Sequence, residues 1–236
     1  MASISYRYWV GRREGRALAG LAGLCLMLPM VAQAQQSPTD GKERRFYVRL
    51  GAARIMFDEK AEVKLAGQTL PGANATASNN NGISLDIGYF LTPNVSVAAT
   101  VGVPPTSTLT ASGTLAGAGT LGKVTYGPGL YSLRYHFGRP GGVRPYIGGG
   151  LNWTIIFKTE DGVLKDFRTS NTLGPAITGG IDVPLNERIG VFGAVSKVWT
   201  STNARFRLDT PNGLVPGTAR VRLDPLIVQA GLQYRF

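Results

Sequence analysis

The last eleven residues of the chain, 226 to 236, alternate apolar and other side chains without interruption and end on an aromatic residue. Successive side chains of a strand point to opposite faces, so this pattern gives the segment one continuous apolar face. A hydrophobic strand that ends on aromatics is typical of the closing strand of an outer-membrane barrel, whose aromatic residues lie at the bilayer interface. We interpret Tyr234 and Phe236 as a candidate barrel-assembly signal, which the barrel-assembly machinery would bind during biogenesis.

The first 34 residues have the organisation of a secretory signal peptide. Four arginines precede an apolar stretch over residues 17–31, and Ala32-Gln33-Ala34 forms a small-residue cleavage site. The apolar stretch is too short to cross a bilayer as an ordinary helix. We therefore predict a cleaved signal peptide over residues 1–34 and a barrel domain over residues 35–236.

Cysteine and charge limit the chemistry of the mature chain. The only cysteine, Cys25, lies inside the predicted signal peptide. Removal of this peptide excludes disulfides, thiol catalysis and thiolate metal sites. The formal net charge of +11 is compatible with nucleic-acid binding, but an exported chain meets no nucleic acid in its normal setting. We expect most basic side chains to solvate loops, with lipopolysaccharide phosphates as the anions that they meet.

Eight segments show the period-two alternation of strands, bounded by Gly, Pro, Asn and Asp. Arg134 and His136 share one face of the fourth segment, and neither can face lipid cheaply, so this pattern identifies the inward side. The seventh segment is ambiguous, because Ser196 shares a face with apolar residues while Lys197 shares the other with valines. The eight segments are 46–57, 82–90, 95–103, 123–137, 144–157, 172–183, 189–199 and 226–236.

The connections alternate between long and short. Long ones at 58–81, 104–122, 158–171 and 200–219 are rich in Gly, Thr, Asn and charge, and short ones separate the remaining segments. This alternation predicts an all-β fold, an eight-stranded antiparallel up-and-down transmembrane β-barrel with four long extracellular loops and short periplasmic turns. A closed sheet leaves no unpaired edge in lipid. We expect a monomer in the bacterial outer membrane. A soluble periplasmic barrel would invert the faces, which the predicted outward positions of Trp153 and Phe157 disfavour.

Several segments resemble the OmpW family of small outer-membrane barrels, to which AlkL-type proteins are related. They are Tyr131–Phe137, Arg144–Thr154, Gly174-Pro175-Ala176 leading to Gly180-Ile181-Asp182, and Gly231–Phe236. The resemblance implies a narrow, partly hydrophobic passage that serves as a passive conduit for small hydrophobic molecules or ions across the outer membrane. It also leaves an alternative open, since family members act as surface receptors. That alternative is a non-conducting barrel that works as receptor, adhesin or structural anchor through its loops.

An eight-stranded barrel is narrow enough to be filled by its own side chains. We expect inward-facing charges, together with Arg235, to neutralise one another and plug the interior. A route for apolar solutes would instead begin at the apolar candidates and the loop residues above them. The candidate lumen-lining residues are Arg49, Asp86, Leu130, Arg134, Ile156, Asp182 and Gln229.

We predict no catalytic, cofactor or metal site. Ser132 and His136 share an inward face, but residues four apart on a strand lie roughly 13 Å apart, beyond the hydrogen-bond reach of a general base. The acidic residues near Asp58 and the Glu160-Asp161-Gly162 segment lack the regular oxygen spacing of a calcium loop.

Overall fold

The structure is a computed structural model, and it describes residues 44–211 and 213–236. The predicted signal peptide and the predicted mature start at Gln35 lie outside the described residues. Within the described residues, no helix is long and apolar enough to cross a bilayer.

The described residues form fifteen strands. In chain order these are β1 (Phe46–Met56), β2 (Lys60–Leu65), β3 (Gln68–Thr69), β4 (Ala73–Ala77), β5 (Asn80–Phe90), β6 (Val95–Gly102), β7 (Thr106–Gly113), β8 (Thr120–His136), β9 (Arg144–Asp161), β10 (Leu164–Thr169), β11 (Thr172–Pro184), β12 (Ile189–Val198), β13 (Ser201–Thr210), β14 (Gly213–Arg222) and β15 (Leu226–Arg235).

Eight of these strands close into an antiparallel barrel. Around the barrel their order is β1, β5, β6, β8, β9, β11, β12 and β15, and the pairing of β15 with β1 completes the circle. The backbone amide of Phe236 donates to the carbonyl of Phe46 at 2.9 Å, so the last residue is bonded next to the first strand. The predicted all-β, eight-stranded barrel is therefore confirmed, and the first and the last described residues lie on the side of the short turns.

The two faces of the barrel wall have opposite polarity. Apolar side chains of alternate residues remain exposed on the outside, where lipid covers them, while the residues between them are buried inside. Aromatic residues concentrate at the two ends of this outer apolar band, as they do in outer-membrane barrels. At the periplasmic end these are Phe46, Tyr89, Tyr135, Phe137, Tyr234 and Phe236, and at the extracellular end Trp153, Phe157 and Trp199.

The structure resolves the ambiguous seventh segment. In β12, Phe192, Ser196 and Val198 point inward and are buried. Lys197 lies on the opposite face, near the extracellular rim, where its ammonium donates to the backbone carbonyl of Asp224. A long lysine side chain can reach a polar partner at the rim in this way, so one cation is tolerated on the lipid-facing side.

The long extracellular connections are folded as strands, which the sequence analysis did not predict. Strand β8 begins before its predicted segment, and strand β9 ends after its own. The two strands pair with each other up to Asp161. Strand β7 pairs with β8 and β4, and a separate five-stranded sheet has the order β10, β13, β14, β2, β3. We call this second sheet the extracellular sheet. Its strand β13 alternates as the barrel strands do, with Ala204 and Phe206 buried and Arg205 and Arg207 exposed.

Candidate functional site

An ionic cluster fills the periplasmic half of the barrel interior. The Arg49 Nη2 atom donates to both carboxylate oxygens of Asp182, at 2.7 and 2.9 Å, and Arg49 Nε donates to Gln233 Oε1 at 2.8 Å. Arg49 and Asp182 are each 1% exposed. Arg235 approaches the same carboxylate at 3.9 Å. The charges come from β1, β11 and β15, so the cluster ties three strands together.

A second buried ion pair joins β5 to β8. Arg134 donates through Nη1 and Nη2 to the two oxygens of Asp86, at 3.1 and 2.6 Å, which is the paired geometry that guanidinium and carboxylate groups favour. Thr100 donates to the same carboxylate at 2.7 Å, and Arg134 Nε donates to Ser132 at 2.9 Å. The polar atoms of this pair are therefore well satisfied although they lie away from water.

Two tyrosine rings fill the space between the ion pairs. The Arg49 guanidinium lies 4.5 Å from the centroid of the Tyr47 ring and 5.2 Å from that of Tyr146. Inward glycines admit these rings. A Cβ atom at Gly88 would lie 2.1 Å from the Tyr47 ring, and one at Gly180 would lie 2.5 Å from the Tyr146 ring. We call this assembly of charges and rings the periplasmic plug.

The close approach of Gly88 and Tyr47 gives a direct test of plug packing. We expect Gly88→Ala to lower the free energy of unfolding by about 1–3 kcal/mol, because the added methyl group overlaps the buried ring. Gly193→Ala is the matched control, since a Cβ there meets no atom within 4 Å. Urea unfolding of the barrel in lipid vesicles measures both variants. Equal stability of Gly88→Ala and the parent protein would show that the Tyr47 ring is free to move.

An apolar cavity of about 210 Å³ lies above the plug, inside the extracellular part of the barrel. Phe167 and Phe206 are buried in its wall, and Tyr126 and Ile156 line it from β8 and β9. Among the polar groups of the wall, Asn74 Oδ1 accepts from two backbone amides at 2.9 Å, whereas the buried hydroxyls of Thr172 and Thr200 have no hydrogen-bond partner within the described residues. The loop residues that line it are Leu65, Leu70, Leu109, Leu115, Leu121, Val163 and Leu164.

A smaller pocket of about 40 Å³ lies lower on the inner wall, beside the end of β6. Leu130, Ile227 and Gln229 line its inner side, and Val103 and Pro105 lie at its edge. The β6–β8 ladder ends at the pair Val101 and Gly129, and β8 next pairs with β7, from Thr125 onward. Pro128 lies in this interval and lacks an amide hydrogen, so it cannot donate to a neighbouring strand. The pairing between β6 and β8 is therefore interrupted beside this pocket, while β8 stays paired with β9.

Comparison with known proteins agrees with this architecture. A model of the OmpW family matches residues 42–236. The chain belongs to the OmpW family. It is 38% identical to the dibenzothiophene metabolism operon protein PahQ of Pseudomonas aeruginosa, over 90% of this chain and 98% of the relative. It is 28% identical to the outer membrane protein AlkL of Ectopseudomonas oleovorans, over 76% of each chain.

The likeness extends to solved structures of the OmpW-type barrel. The crystal structure of OprG from Pseudomonas aeruginosa superposes with a TM-score of 0.76 at 24% identity, covering 81% of this chain and 95% of that chain. At this identity the likeness concerns the fold. Family membership and the outer-membrane relatives place this OmpW-family barrel in the bacterial outer membrane, where lipid and lipopolysaccharide surround it.

The structure divides the sequence-predicted interior residues of this OmpW-family barrel into two groups. Arg49, Asp86, Arg134 and Asp182 come together in the periplasmic plug. The other three lie above it, where Leu130 and Gln229 line the small pocket and Ile156 lines the large cavity. The interior is therefore polar and filled below, and apolar with free space above. Their roles in a passage stay predictions.

The two terminal aromatics lie at the periplasmic rim. The Phe236 ring contacts those of Phe46 and Tyr234, with centroid distances of 5.3 and 4.8 Å. Both Tyr234 and Phe236 point outward and are exposed on the barrel surface. This position leaves them accessible from the bilayer interface, while their role as an assembly signal, like the monomeric state, stays a prediction.

The plug also contains a chain of Ser96, His136 and Asp182 that sequence reasoning missed. Ser96 Oγ lies 2.9 Å from His136 Nε2, and His136 Nδ1 lies 3.3 Å from Asp182 Oδ2. The second contact lacks the alignment of a hydrogen bond, and Asp182 is already held by Arg49. All three side chains are at most 1% exposed, so no substrate can reach the serine. We assign these three side chains a structural role within the plug.

This serine–histidine contact joins neighbouring strands, because Ser96 on β6 lies across from Arg134 on β8, and His136 is two residues further along the same face of β8. The pairing of β6 with β8 could have indicated this contact, whereas spacing along one strand points only to Ser132.

Among residues 44–211 and 213–236, no group of three or more His, Cys, Asp or Glu side chains could hold a metal ion.

Proposed function

We propose that this protein is a passive conduit for small hydrophobic molecules across the outer membrane. The observation that carries the proposal is the apolar cavity inside the extracellular part of the barrel. Its volume of about 210 Å³ exceeds that of an apolar protein cavity of about 150 Å³ that binds benzene. An apolar solute of about the size of benzene would leave water for this cavity without losing hydrogen bonds.

The periplasmic plug makes a straight axial route unfavourable for such a solute. Passage through the lower barrel would require the solute to displace Arg49 and Asp182 and to leave buried charges unpaired. The small pocket beside Pro128 offers a shorter way out, since it lies on the inner wall where the pairing of β6 with β8 is interrupted. We propose that the solute leaves sideways at this point and enters the hydrocarbon of the bilayer.

The name of one relative supports the choice of solute. PahQ is named for a dibenzothiophene metabolism operon, and dibenzothiophene is a flat, apolar, aromatic molecule. An aromatic solute of this kind suits a cavity whose wall includes Phe57, Tyr126, Phe167 and Phe206. We therefore favour small aromatic hydrocarbons and thioethers over ions, which the apolar wall would not solvate.

Uptake by cells with and without the protein tests the conduit. We expect cells that produce the protein to take up dibenzothiophene faster than cells that lack it, because lipopolysaccharide slows entry of apolar molecules and the cavity bypasses it. Initial uptake of labelled dibenzothiophene measures the effect, with sucrose as the polar control. Sucrose entry should not change, because the plug seals the lower interior.

The same experiment separates the conduit from its alternative. A barrel sealed throughout, which serves as receptor, adhesin or structural anchor through its loops, would leave dibenzothiophene uptake equal in the two strains. Equal rates would therefore contradict the conduit and favour a role of the extracellular sheet and loops.

A further inference from the structure

A groove runs along the outside of the protein where the barrel wall meets the extracellular sheet. It measures about 640 Å³ and adjoins the cavity inside the barrel, with Ala61 and Thr200 lining both. One of its walls comes from the top of β11 and the residue after β12, and the other from β2 and β14. The groove therefore spans the boundary between the lipid-facing band and the extracellular surface.

The barrel side of the groove is apolar. Leu173, Pro175 and Trp199 line it, and all three belong to the outer surface of the barrel wall. Leu173 is 66% exposed and Trp199 is 40% exposed. Trp199 belongs to the aromatic residues at the extracellular end of the band, where the acyl chains of the outer leaflet give way to headgroups.

The sheet side of the groove is cationic. Lys60 and Arg222 are directly paired across β2 and β14, and Arg220 lies two residues along the same face. Like charges that face each other across two strands destabilise a sheet. Within the described residues, neither Lys60 nor Arg220 has an ion-pair partner, in contrast to Lys158, which bonds to Glu160 at 2.7 Å. An anion placed between these side chains would offset their repulsion.

Two carboxylates also line the groove, and both are engaged with other groups. Glu62 lies 3.5 Å from the ammonium of Lys64. Asp224 accepts from the Thr200 backbone amide and from Arg222, at 3.0 Å each. Glu62 also opposes Arg220 across β2 and β14. The three cations of the groove still outnumber its two carboxylates, so the groove keeps a positive charge beside its apolar wall.

We propose that this groove binds a phosphorylated glycolipid of the outer leaflet, the lipid A part of lipopolysaccharide. A phosphate of the headgroup lies among Lys60, Arg220 and Arg222, where guanidinium groups donate charge-assisted hydrogen bonds to its oxygens. An acyl chain of the same molecule lies against Leu173 and Trp199. Ala61 and Thr200 border both the groove and the cavity, but none of the five side chains assigned to the lipid lines the cavity, so the site can be tested independently of the conduit.

Binding of purified lipid A tests the site. The full protein, extracted from outer membranes in detergent and freed of lipid, is titrated with bisphosphorylated lipid A, and native mass spectrometry measures the bound fraction. We expect Lys60→Gln/Arg220→Gln/Arg222→Gln to weaken binding by roughly tenfold or more, since each cation near an anionic lipid surface contributes to affinity. Lipid A without phosphates should bind the parent protein as weakly as this variant binds lipid A.

A matched control removes the same charge from the same face of the sheet but outside the groove. This variant is Arg168→Gln/Arg205→Gln/Arg207→Gln, whose side chains are exposed and contact no group of the groove, and we expect its affinity to fall by less than about twofold. All substituted side chains are exposed, and retention of the folded band on unheated gels checks each barrel. Should the triple groove variant fail to fold, Arg220→Gln alone should weaken binding by roughly fivefold.

The outcomes are distinct. Equal losses in the two triple variants would overturn the site and indicate diffuse attraction to the basic sheet. Unchanged affinity in the groove variant would also overturn it. Glucosamine 1-phosphate and inorganic phosphate lack acyl chains, so neither should displace lipid A. Displacement by either at comparable concentration would show a site for free anions and would contradict the lipid assignment.

Discussion

Replacing Asp182 with asparagine is expected to lower the free energy of unfolding by about 3–5 kcal/mol, because it leaves the fully buried Arg49 without its counter-charge. Asp182 is the carboxylate that lies closest to Arg49, and Arg235 and His136 also approach it, at 3.9 and 3.3 Å. Its loss therefore concentrates positive charge inside the barrel. Urea unfolding in lipid vesicles, followed by tryptophan fluorescence, measures the change.

The reverse substitution should cost less. Arg49→Gln removes the cation and leaves Asp182 with Arg235 and His136 nearby, so the remaining carboxylate is still partly compensated. The double variant Arg49→Gln/Asp182→Asn should be more stable than Asp182→Asn alone, since the buried cation of Arg49 is removed together with its counter-charge. Additive losses in the double variant would contradict a direct interaction.

Asp209→Asn is the control for this series. Asp209 lies at the exposed end of β13 and opposes Leu214 across the hairpin. We expect its substitution to change stability by less than about 0.5 kcal/mol, as at most surface positions. A large loss there would mean that net charge, and not the plug, determines the stability of the barrel.

The barrel itself was predictable because each of its strands carries its own signal. In β15 the inward and outward sets follow from alternation alone, and in β8 the pair Arg134 and His136 identifies the inward face. A shift of the strand pairing by one residue would turn charged side chains toward lipid, so the alternation of apolar and polar residues strongly determines the register. Strand number and the alternation of long and short connections then fix the topology.

The partners inside the plug could not be predicted in the same way. Arg49 and Asp182 are 133 residues apart, and only barrel closure brings β1 and β11 to opposite sides of one narrow interior. Alternation shows that both side chains point inward but not which carboxylate meets which guanidinium. The same reason hides Ser96, whose contact with His136 depends on the pairing of β6 with β8.

The extracellular strands were missed for a different reason. Composition rich in Gly, Thr and charge indicates loops when it is read alone, and it outweighed the alternation of Ala204, Phe206 and Leu208 with arginines. Those apolar residues bury themselves against the cavity and not against lipid. Only the folded sheet shows that the apolar residues of the different loops share one cavity.

Replacing Gly102 with phenylalanine is expected to reduce dibenzothiophene uptake to the level of cells without the protein. Gly102 points inward at the end of β6 and lines the small pocket. A Cβ atom there would contact Pro128 Cγ at 3.5 Å, an ordinary distance, so the backbone accepts a side chain. The phenyl ring would then occupy the pocket through which the solute leaves the barrel, while the cavity above remains intact.

Two variants separate blockage from other effects of the substitution. Gly102→Ala places only a methyl group in the pocket and should retain most of the uptake. Gly149→Phe adds the same ring on the lipid-facing side of β9, where a Cβ meets no atom closer than 3.9 Å, and should leave uptake unchanged. If Gly102→Phe folds and still transports dibenzothiophene at the parental rate, the solute does not leave beside β6. A loss of stability in the Asp182 series would argue that the plug is closed. The solute would then have to leave through another part of the barrel wall.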